Sequence, residues 1–205
     1  MNAVIASILY GLLGIALLIL GAVVLIVVVY NRLVALRNRT RNAWAQIDVQ
    51  LKRRYDLVPN LVESVKAYLK HEAQTLEAVI AARGNAQNAA KLAAAHLDDP
   101  AALARVAAAE SALKSSIMQL FAVAESYPEL KADAQIRALM EELTSTENRI
   151  AFARQGYNDL VMEFNTATEQ FPNNVVAGMF RFHPAQLLEA TESAAERKAV
   201  KVSFQ

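Results

Sequence analysis

An uncharged apolar run near the N-terminus constrains this chain more than any other feature of its sequence. Residues 4–29 contain no Asp, Glu, Lys or Arg, and 18 of these 26 residues are Leu, Ile or Val. As a helix, the run would be about 39 Å long, which exceeds the roughly 30 Å hydrocarbon core of a bilayer. Its Leu, Ile and Val residues contribute about −5 to −11 kcal/mol to insertion. The run therefore predicts a transmembrane helix.

A cleaved signal peptide is the alternative interpretation of this run. Signal peptides carry a basic N-terminal region, a shorter apolar core and small residues at a cleavage site. Here no basic side chain precedes the run, so we expect residues 1–30 to form a retained single-pass anchor in the lipid bilayer. Arginines crowd its C-terminal side, at positions 32, 37, 39 and 41. By the positive-inside rule, the N-terminus is expected outside and the rest of the chain in the cytoplasm.

Composition narrows the class of the remaining chain. The net charge of +1 gives no general attraction to nucleic acid, and we expect no nucleic-acid partner. Cysteine is absent, which excludes disulfides and thiolate metal sites. Only 6 glycines and 5 prolines occur, and strand-like alternation is almost absent. These features predict an all-helical domain over residues 31–182, followed by a C-terminal tail over residues 183–205.

Apolar residues recur at heptad spacing from Trp44 onward, as in the helices of a coiled coil. Pro59 interrupts this stripe, because proline lacks an N–H group and clashes with the preceding turn. Either the chain reverses at Pro59, or one kinked helix runs over residues 31–95. We favour the kinked helix, since a tight reversal there would contain no glycine. In that arrangement the stripe from Leu33 to Leu51 is covered only by later segments or by a second copy of the chain.

The later sequence predicts two further long helices. Residues 85–97 are rich in alanine, whose helix propensity favours a helix over a disordered low-complexity segment. Asp99 and Pro100 form a helix start, which predicts a helix to about residue 125 and a helical hairpin with the preceding helix. A turn at residues 126–129 precedes a helix over about 130–170. The sequence thus predicts an all-α fold: a single transmembrane helix followed by an up-and-down four-helix bundle with long helices.

Charged and amide side chains interrupt the stripes at two places, and they are the candidate site. Arg54 and Thr146 occupy stripe positions, and the charge of Arg54 needs a partner there. The hypothesis is a polar network between two long helices that fixes their register. Solvated charges worth roughly 0–1 kcal/mol and a partner-binding surface are the alternatives. The candidate residues are Arg53, Arg54, Asp56, Asn60, Glu147, Asn148 and Arg149.

No recognised catalytic motif accompanies these residues. His71 is followed by Glu72 but not by the second histidine of a zinc-protease motif, and no Glu-x-x-His pair for a di-iron site occurs. A glycine-rich phosphate loop and a nucleophile elbow are also absent. We therefore expect no catalytic, metal-binding or cofactor-binding residues and no enzyme activity.

The chain resembles the LemA family over nearly its whole length. The first signature is carried by residues 36–38, 43–44, 47–54, 56–62 and 65–66, the second by residues 127–132, 146–151, 153–154 and 157–158, and the third by Phe171-Pro172 and Val176-Ala177. Two departures lie near the C-terminus. Phe180-Arg181-Phe182 stands where the family usually has Phe-Gly-Phe, and Leu187-Leu188-Glu189 where it has Tyr-Phe-Glu.

The resemblance implies a bacterial inner-membrane protein whose N-terminus is outside and whose soluble part is a four-helix bundle. It implies no enzymatic activity and no cofactor. We expect a non-enzymatic scaffold that presents its cytoplasmic bundle to a membrane partner or to its own copies, as a homo-oligomer. An accessory regulator of an HtpX-type membrane protease, or of an envelope-stress system, is the alternative function.

Overall fold

The computed structural model of the chain is helical throughout the part that it describes. It gives the backbone of residues 2–95 and 97–188, and the side chains of residues 9–95, 97–130 and 132–188. The described ranges form six helices and no strand: α1 (Asn2–Val65), α2 (Ala73–Ala95), α3 (Pro100–Ala124), α4 (Pro128–Ala132), α5 (Ala134–Glu169) and α6 (Asn173–Met179). The predicted all-α fold with a long apolar N-terminal helix is confirmed. The predicted tail lies outside the described residues from position 189 onward.

The chain divides into two compact units. The N-terminal unit comprises Met1–Arg41 and Leu160–Ala185, and the second unit comprises Asn42–Asp159 and Gln186–Gln205. Helices α1 and α5 contribute residues to both units. The domain bounds inferred from the sequence stay a prediction.

Helix α1 continues through Pro59 and ends at Val65, so the prediction of one helix over residues 31–95 was wrong. The chain reverses over residues 66–72: Arg83 Nε of α2 donates to the Tyr55 carbonyl oxygen at 2.6 Å, although the two residues would be about 42 Å apart on one helix. Glycine is unnecessary because a connection of seven residues can turn through right-handed conformations. Arg181 is the residue with a positive φ among those described, and it lies elsewhere.

Helices α2 and α3 pack against each other, as the sequence predicts. Residues 85–95 are helical, which excludes disorder there. Asp99 caps α3, since its side chain accepts a hydrogen bond from the Ala101 N–H at 2.9 Å, and Pro100 occupies the first helical position. Alanines 86, 90 and 93 are buried on α2, which is consistent with the close approach that small side chains allow.

The predicted helix over residues 130–170 is divided by Asp133 into α4 and α5. Asp133 has an extended backbone, and its carboxylate accepts hydrogen bonds from the N–H groups of Gln135 and Ile136 at 2.8 and 3.1 Å. These two bonds are the main cause of the lowered pKa of Asp133. Tyr68 in the reversal donates to the same carboxylate at 3.2 Å. Asp133 thereby caps α5 and ties its start to the reversal.

The apolar stripe of α1 is covered by the chain itself. In the second unit, the buried residues of the stripe include Trp44, Ile47, Leu51, Val58, Leu61 and Val65. In the N-terminal unit, Leu33 and Leu36 are buried with Phe164 of α5 and Val176 of α6. The sequence left two possibilities for covering this stripe, later segments of the chain or a second copy, and the structure shows later segments. The apolar stripe residues from Leu33 to Leu51 are therefore buried within the chain.

The first part of α1 differs from a core helix in its exposure. Apart from the half-buried Ile26, its large apolar residues from Leu9 to Val28 are exposed, and almost none of the most apolar window is buried inside the protein. By length and composition this segment can cross a membrane. A signal sequence would satisfy the same two criteria.

Candidate functional site

The guanidinium group of Arg54 is buried in the second unit, where three helices meet. Arg54 lies on the apolar stripe of α1 and only 2% of its side chain is exposed. A buried cation requires anionic partners, because removing the charge from water costs several kcal/mol. Arg54 forms ion pairs with Glu110 of α3 and Glu147 of α5. We call Arg54, Glu110 and Glu147 the ion cluster.

Glu110 has a second donor in Tyr55, whose hydroxyl group bonds to Oε1 of the carboxylate. Burial raises the pKa of Tyr55 to about 12, although the neighbouring Arg54 acts in the opposite direction. The phenol therefore remains protonated and able to donate at neutral pH. Because the Tyr55 carbonyl group accepts from Arg83, helix α2 is linked to the cluster as well.

Exposure rises from the centre of the ion cluster outward. Glu110 is 11% exposed and Glu147 is 32% exposed, and Lys114 Nζ lies 3.9 Å from Glu147 Oε1. Further out, Arg53 Nη2 lies 3.3 Å from Glu142 Oε1, and the Arg53 side chain is 57% exposed. Surface pairs of this kind contribute about 0–1 kcal/mol, so the buried centre carries most of the energetic consequence.

A small cavity of about 30 Å³ adjoins the ion cluster. This volume suits one or two water molecules and excludes a metabolite-sized ligand. Its lining combines apolar residues with charged ones: Trp44, Ile47, Leu51, Val106, Ala107, Ile150 and Leu188, together with Arg54, Glu110, Lys114, Glu147 and Arg154. Burial lowers the pKa of Arg154, and Glu147 opposes that effect. The guanidinium of Arg154 still carries its charge at physiological pH.

Among the candidates from the sequence, the structure brings Arg54 and Glu147 together. It pairs Arg53 with Glu142, a residue outside the predicted set. The other four candidates are exposed, and their side chains form no hydrogen bond or ion pair within the described part of the chain: Asp56, Asn60, Asn148 and Arg149. Thr146 is fully buried, at 0% exposure, on the stripe of α5.

Glu110 is the cluster residue that the sequence analysis missed. It lies on the buried face of α3, four residues after Val106 and three before Leu113. A charge at such a position needs a partner, and the same criterion singled out Arg54. The spacing of the α3 stripe was therefore the signal that could have identified Glu110.

Asn158 of α5, which the sequence placed only within the second family signature, holds a segment without regular secondary structure. Its Nδ2 donates to the Leu188 carbonyl oxygen and its Oδ1 accepts from the Leu188 N–H, both at 2.9 Å. The Tyr157 hydroxyl donates to the Gln186 carbonyl oxygen at 3.0 Å. Leu188 is buried, so this segment forms one wall of the small cavity. An asparagine side chain that binds backbone groups produces no motif in the sequence, so this role of Asn158 could not be predicted.

The arrangement is suited to holding helices in register. Two carboxylates, one guanidinium and one phenol bond to one another, beside a cavity that suits one or two water molecules. Among the described residues, no group of three or more His, Cys, Asp or Glu side chains could hold a metal ion.

Comparison with known proteins decides the family. The model of the LemA family matches residues 43–204, which is most of the chain. The chain belongs to the LemA family. Among curated proteins, none matches it. The match starts after the apolar run of α1, and it contains the whole ion cluster of this LemA chain.

The departure from the LemA Phe-Gly-Phe pattern coincides with the backbone feature noted above. Arg181 has a φ of 54°, in the left-handed region that favours glycine. The glycine that the family usually has would adopt this conformation without steric cost. Arg181 keeps the conformation while Phe180 and Phe182 on either side form ring contacts with Tyr30.

Proposed function

We propose that this LemA-family chain is a non-enzymatic scaffold, anchored in the bacterial inner membrane, that presents a cytoplasmic helical bundle to a partner protein. The exposed apolar segment of α1 supports the anchor, and the arginines that follow it support an external N-terminus. The buried charges of the ion cluster pair with one another, which supports a structural role for them.

We propose that the bundle has four long helices: α1, α2, α3 and α5. The supporting contacts all lie in the second unit. Arg83 of α2 bonds to Tyr55 of α1, Tyr55 bonds to Glu110 of α3, and Arg54 pairs with Glu147 of α5. The short helices α4 and α6, of 5 and 7 residues, are additions to this bundle.

A groove between α3 and α5 in the second unit is the observation that carries the scaffold proposal. It consists of two adjoining depressions of about 210 and 690 Å³ that share Phe121, Thr144 and Asn148. Met118 on its wall is 61% exposed and Met140 lines its other half. Methionine-lined grooves accept the apolar face of an amphipathic helix, because the thioether side chain adapts its shape. We propose such a helix, from a membrane protein, as the occupant.

Photo-crosslinking of the full chain in native membranes tests this proposal. A benzophenone amino acid replaces Met118 in the groove, and the matched control replaces Phe152, which is 75% exposed and outside the groove lining. The expected result is a discrete crosslinked product from position 118 and none from position 152. Products from both positions in equal amount, or from neither, would contradict a docking groove.

The mass of the product identifies the partner. A product near twice 22.4 kDa would mean that the partner in the groove is a second copy of the chain and not a different protein. A product that contains a membrane protease would instead make the chain an accessory regulator, and deletion of the chain should then alter the turnover of membrane substrates.

The absence of native cysteine allows a direct test of orientation. A single Met118→Cys variant is treated with a membrane-impermeant maleimide in intact spheroplasts and in inverted vesicles. We expect labelling only in the inverted vesicles. Labelling in spheroplasts would show that the bundle is outside the cytoplasm.

A further inference from the structure

Helix α6 packs beside the end of the apolar run of α1, within the N-terminal unit. Its residues Val176 and Ala177 are buried in one cluster with Val29 and Leu33. Val29 is the last residue of the apolar run at 4–29. The helix therefore lies at the level where α1 leaves its most apolar segment.

Aromatic contacts fix this level more closely. The ring of Phe180 lies 4.7 Å from the ring of Tyr30, and the ring of Phe182 lies 5.7 Å from it. The guanidinium carbon of Arg37 lies 5.1 Å from the Phe182 ring centre. A tyrosine at the end of an apolar run followed by arginines is typical of a membrane–water interface. Because Phe180 and Phe182 contact Tyr30, they lie at the same level of the interface.

Four large apolar side chains around α6 are exposed. Phe171 is 82% exposed, Val175 55%, Met179 62% and Phe180 48%. We call these four residues the apolar rim. Isolated exposed apolar residues are common on protein surfaces, but here four lie within ten positions of the chain, and exposed apolar patches mark interaction sites.

The packing of α5 directs its C-terminal end, and Phe171 just beyond it, toward the level of Phe180. Arg39 of α1 lies 4.0 Å from Glu163 of α5, while residues nearer the C-terminus of α5 pack with residues nearer the N-terminus of α1. The two helices are thus antiparallel. Helix α5 ends at Glu169, six residues or about 9 Å beyond Glu163, and Phe171 follows two residues later. Tyr30 lies nine residues before Arg39, which is about 13.5 Å along α1.

We propose that the apolar rim is a second membrane contact, in which Phe171, Val175, Met179 and Phe180 enter the interfacial region of the leaflet where α1 emerges. This inference rests on the proposed anchoring of α1 in a membrane. Lipid is the occupant because Phe180 of the rim contacts Tyr30, the residue that directly follows the apolar run. Arg181, which is exposed beside Phe180, reaches the anionic headgroups.

The proposed contact gives the N-terminal unit a defined orientation. One transmembrane helix alone leaves the attached protein free to rotate about the helix axis. A rim on one side of α1 adds a second point of attachment, because α6 is packed on α1 through buried residues.

Site-directed spin labelling of the full chain tests the rim, and the absence of native cysteine makes single-cysteine variants straightforward. The variants are Met179→Cys and Val175→Cys in the rim. Met162→Cys is the matched control: Met162 is also an exposed methionine of the N-terminal unit, at 59%, but it adjoins Glu163 at the level of Arg39. Leu17→Cys reports on the apolar run itself.

Collision accessibility to oxygen and to a water-soluble nickel chelate is measured in vesicles of phosphatidylcholine and phosphatidylglycerol. We expect the oxygen-to-nickel ratio at positions 175 and 179 to exceed that at position 162 by about threefold or more, because polar reagents are excluded from the bilayer. A ratio at positions 175 and 179 equal to that at position 162, with a high ratio at position 17, would overturn the rim and leave the anchor intact. A low ratio at position 17 would overturn both. The ratios at positions 175 and 179 should agree, which excludes a local perturbation by one spin label as their cause.

Discussion

Replacement of Arg54 by methionine should destabilise the second unit strongly. The variant Arg54→Met retains much of the apolar volume but leaves Glu110, which is 11% exposed, and Glu147 without their shared cation. Removing one partner of a buried ion pair costs about 3–5 kcal/mol. For a chain of this size, 1 kcal/mol corresponds to about 2–4 °C in melting temperature, so the expected decrease is about 6–20 °C.

The neighbouring residue supplies a matched control. Arg53→Met removes the same type of side chain from an exposed pair with Glu142, which contributes about 0–1 kcal/mol. Both variants are compared with the unaltered chain in lipid nanodiscs, by the loss of circular dichroism at 222 nm on heating. If Arg54→Met lowers the melting temperature no more than Arg53→Met does, the ion cluster has no special energetic role.

A triple variant distinguishes the free-energy cost of leaving carboxylates unpaired from the cost of losing the ion cluster itself. When Glu110→Leu and Glu147→Leu accompany Arg54→Met, no uncompensated carboxylate remains, and apolar replacement of a buried ion network is often neutral or stabilising. We therefore expect the triple variant to regain most of the lost stability. A triple variant as unstable as Arg54→Met would show that packing, rather than charge, causes the effect.

Three further predictions concern single side chains. Asn158→Ala should lose the protection of the Leu188 amide in hydrogen exchange, since both hydrogen bonds to that residue disappear, at a cost of about 1–3 kcal/mol. Arg181→Gly should raise stability by about 1 kcal/mol, because glycine adopts the φ of 54° freely, whereas Arg181→Ala should gain nothing in thermal unfolding. The contribution of buried Tyr55 and Tyr157 to stability should be fully present below pH 10 and should be lost as pH rises from 10 to 12, because burial raises the pKa of both to about 12. The decline should be shallower in Tyr157→Phe when melting temperature is measured across this range.

The local structure of the chain could largely be predicted from its sequence, because helix periodicity and capping act over a few residues. Asp99 and Pro100 start α3 where their chemistry predicts. The reversal at residues 66–72 could not be identified in this way. It contains no glycine or proline, and its position is set by tertiary contacts such as that between Arg83 and Tyr55.

The ion cluster could be predicted in part, since a charge on an apolar stripe signals a buried partner. That criterion identified Arg54, but it could not indicate which carboxylates are near, because the pairing depends on how α3 and α5 pack on α1. Asp56 and Arg149 were included because they lie beside the stripe positions Arg54 and Thr146, yet both are exposed. Proximity in sequence suggests which charges could join a network, whereas burial decides which of them meet.

We propose that Arg54 is kept on the apolar stripe because its charge selects one register of α1. A long helix with heptad spacing can slide by seven residues along its partners and still bury apolar side chains. Such a shift would place Ile47 or Leu61 opposite Glu110 and Glu147, and the two carboxylates would lose their cation in an apolar environment. The penalty of about 3–5 kcal/mol for an unpaired buried charge then acts against the shifted register. One buried arginine can therefore specify how α1 aligns with α3 and α5, a choice that the apolar residues of the stripe leave nearly degenerate.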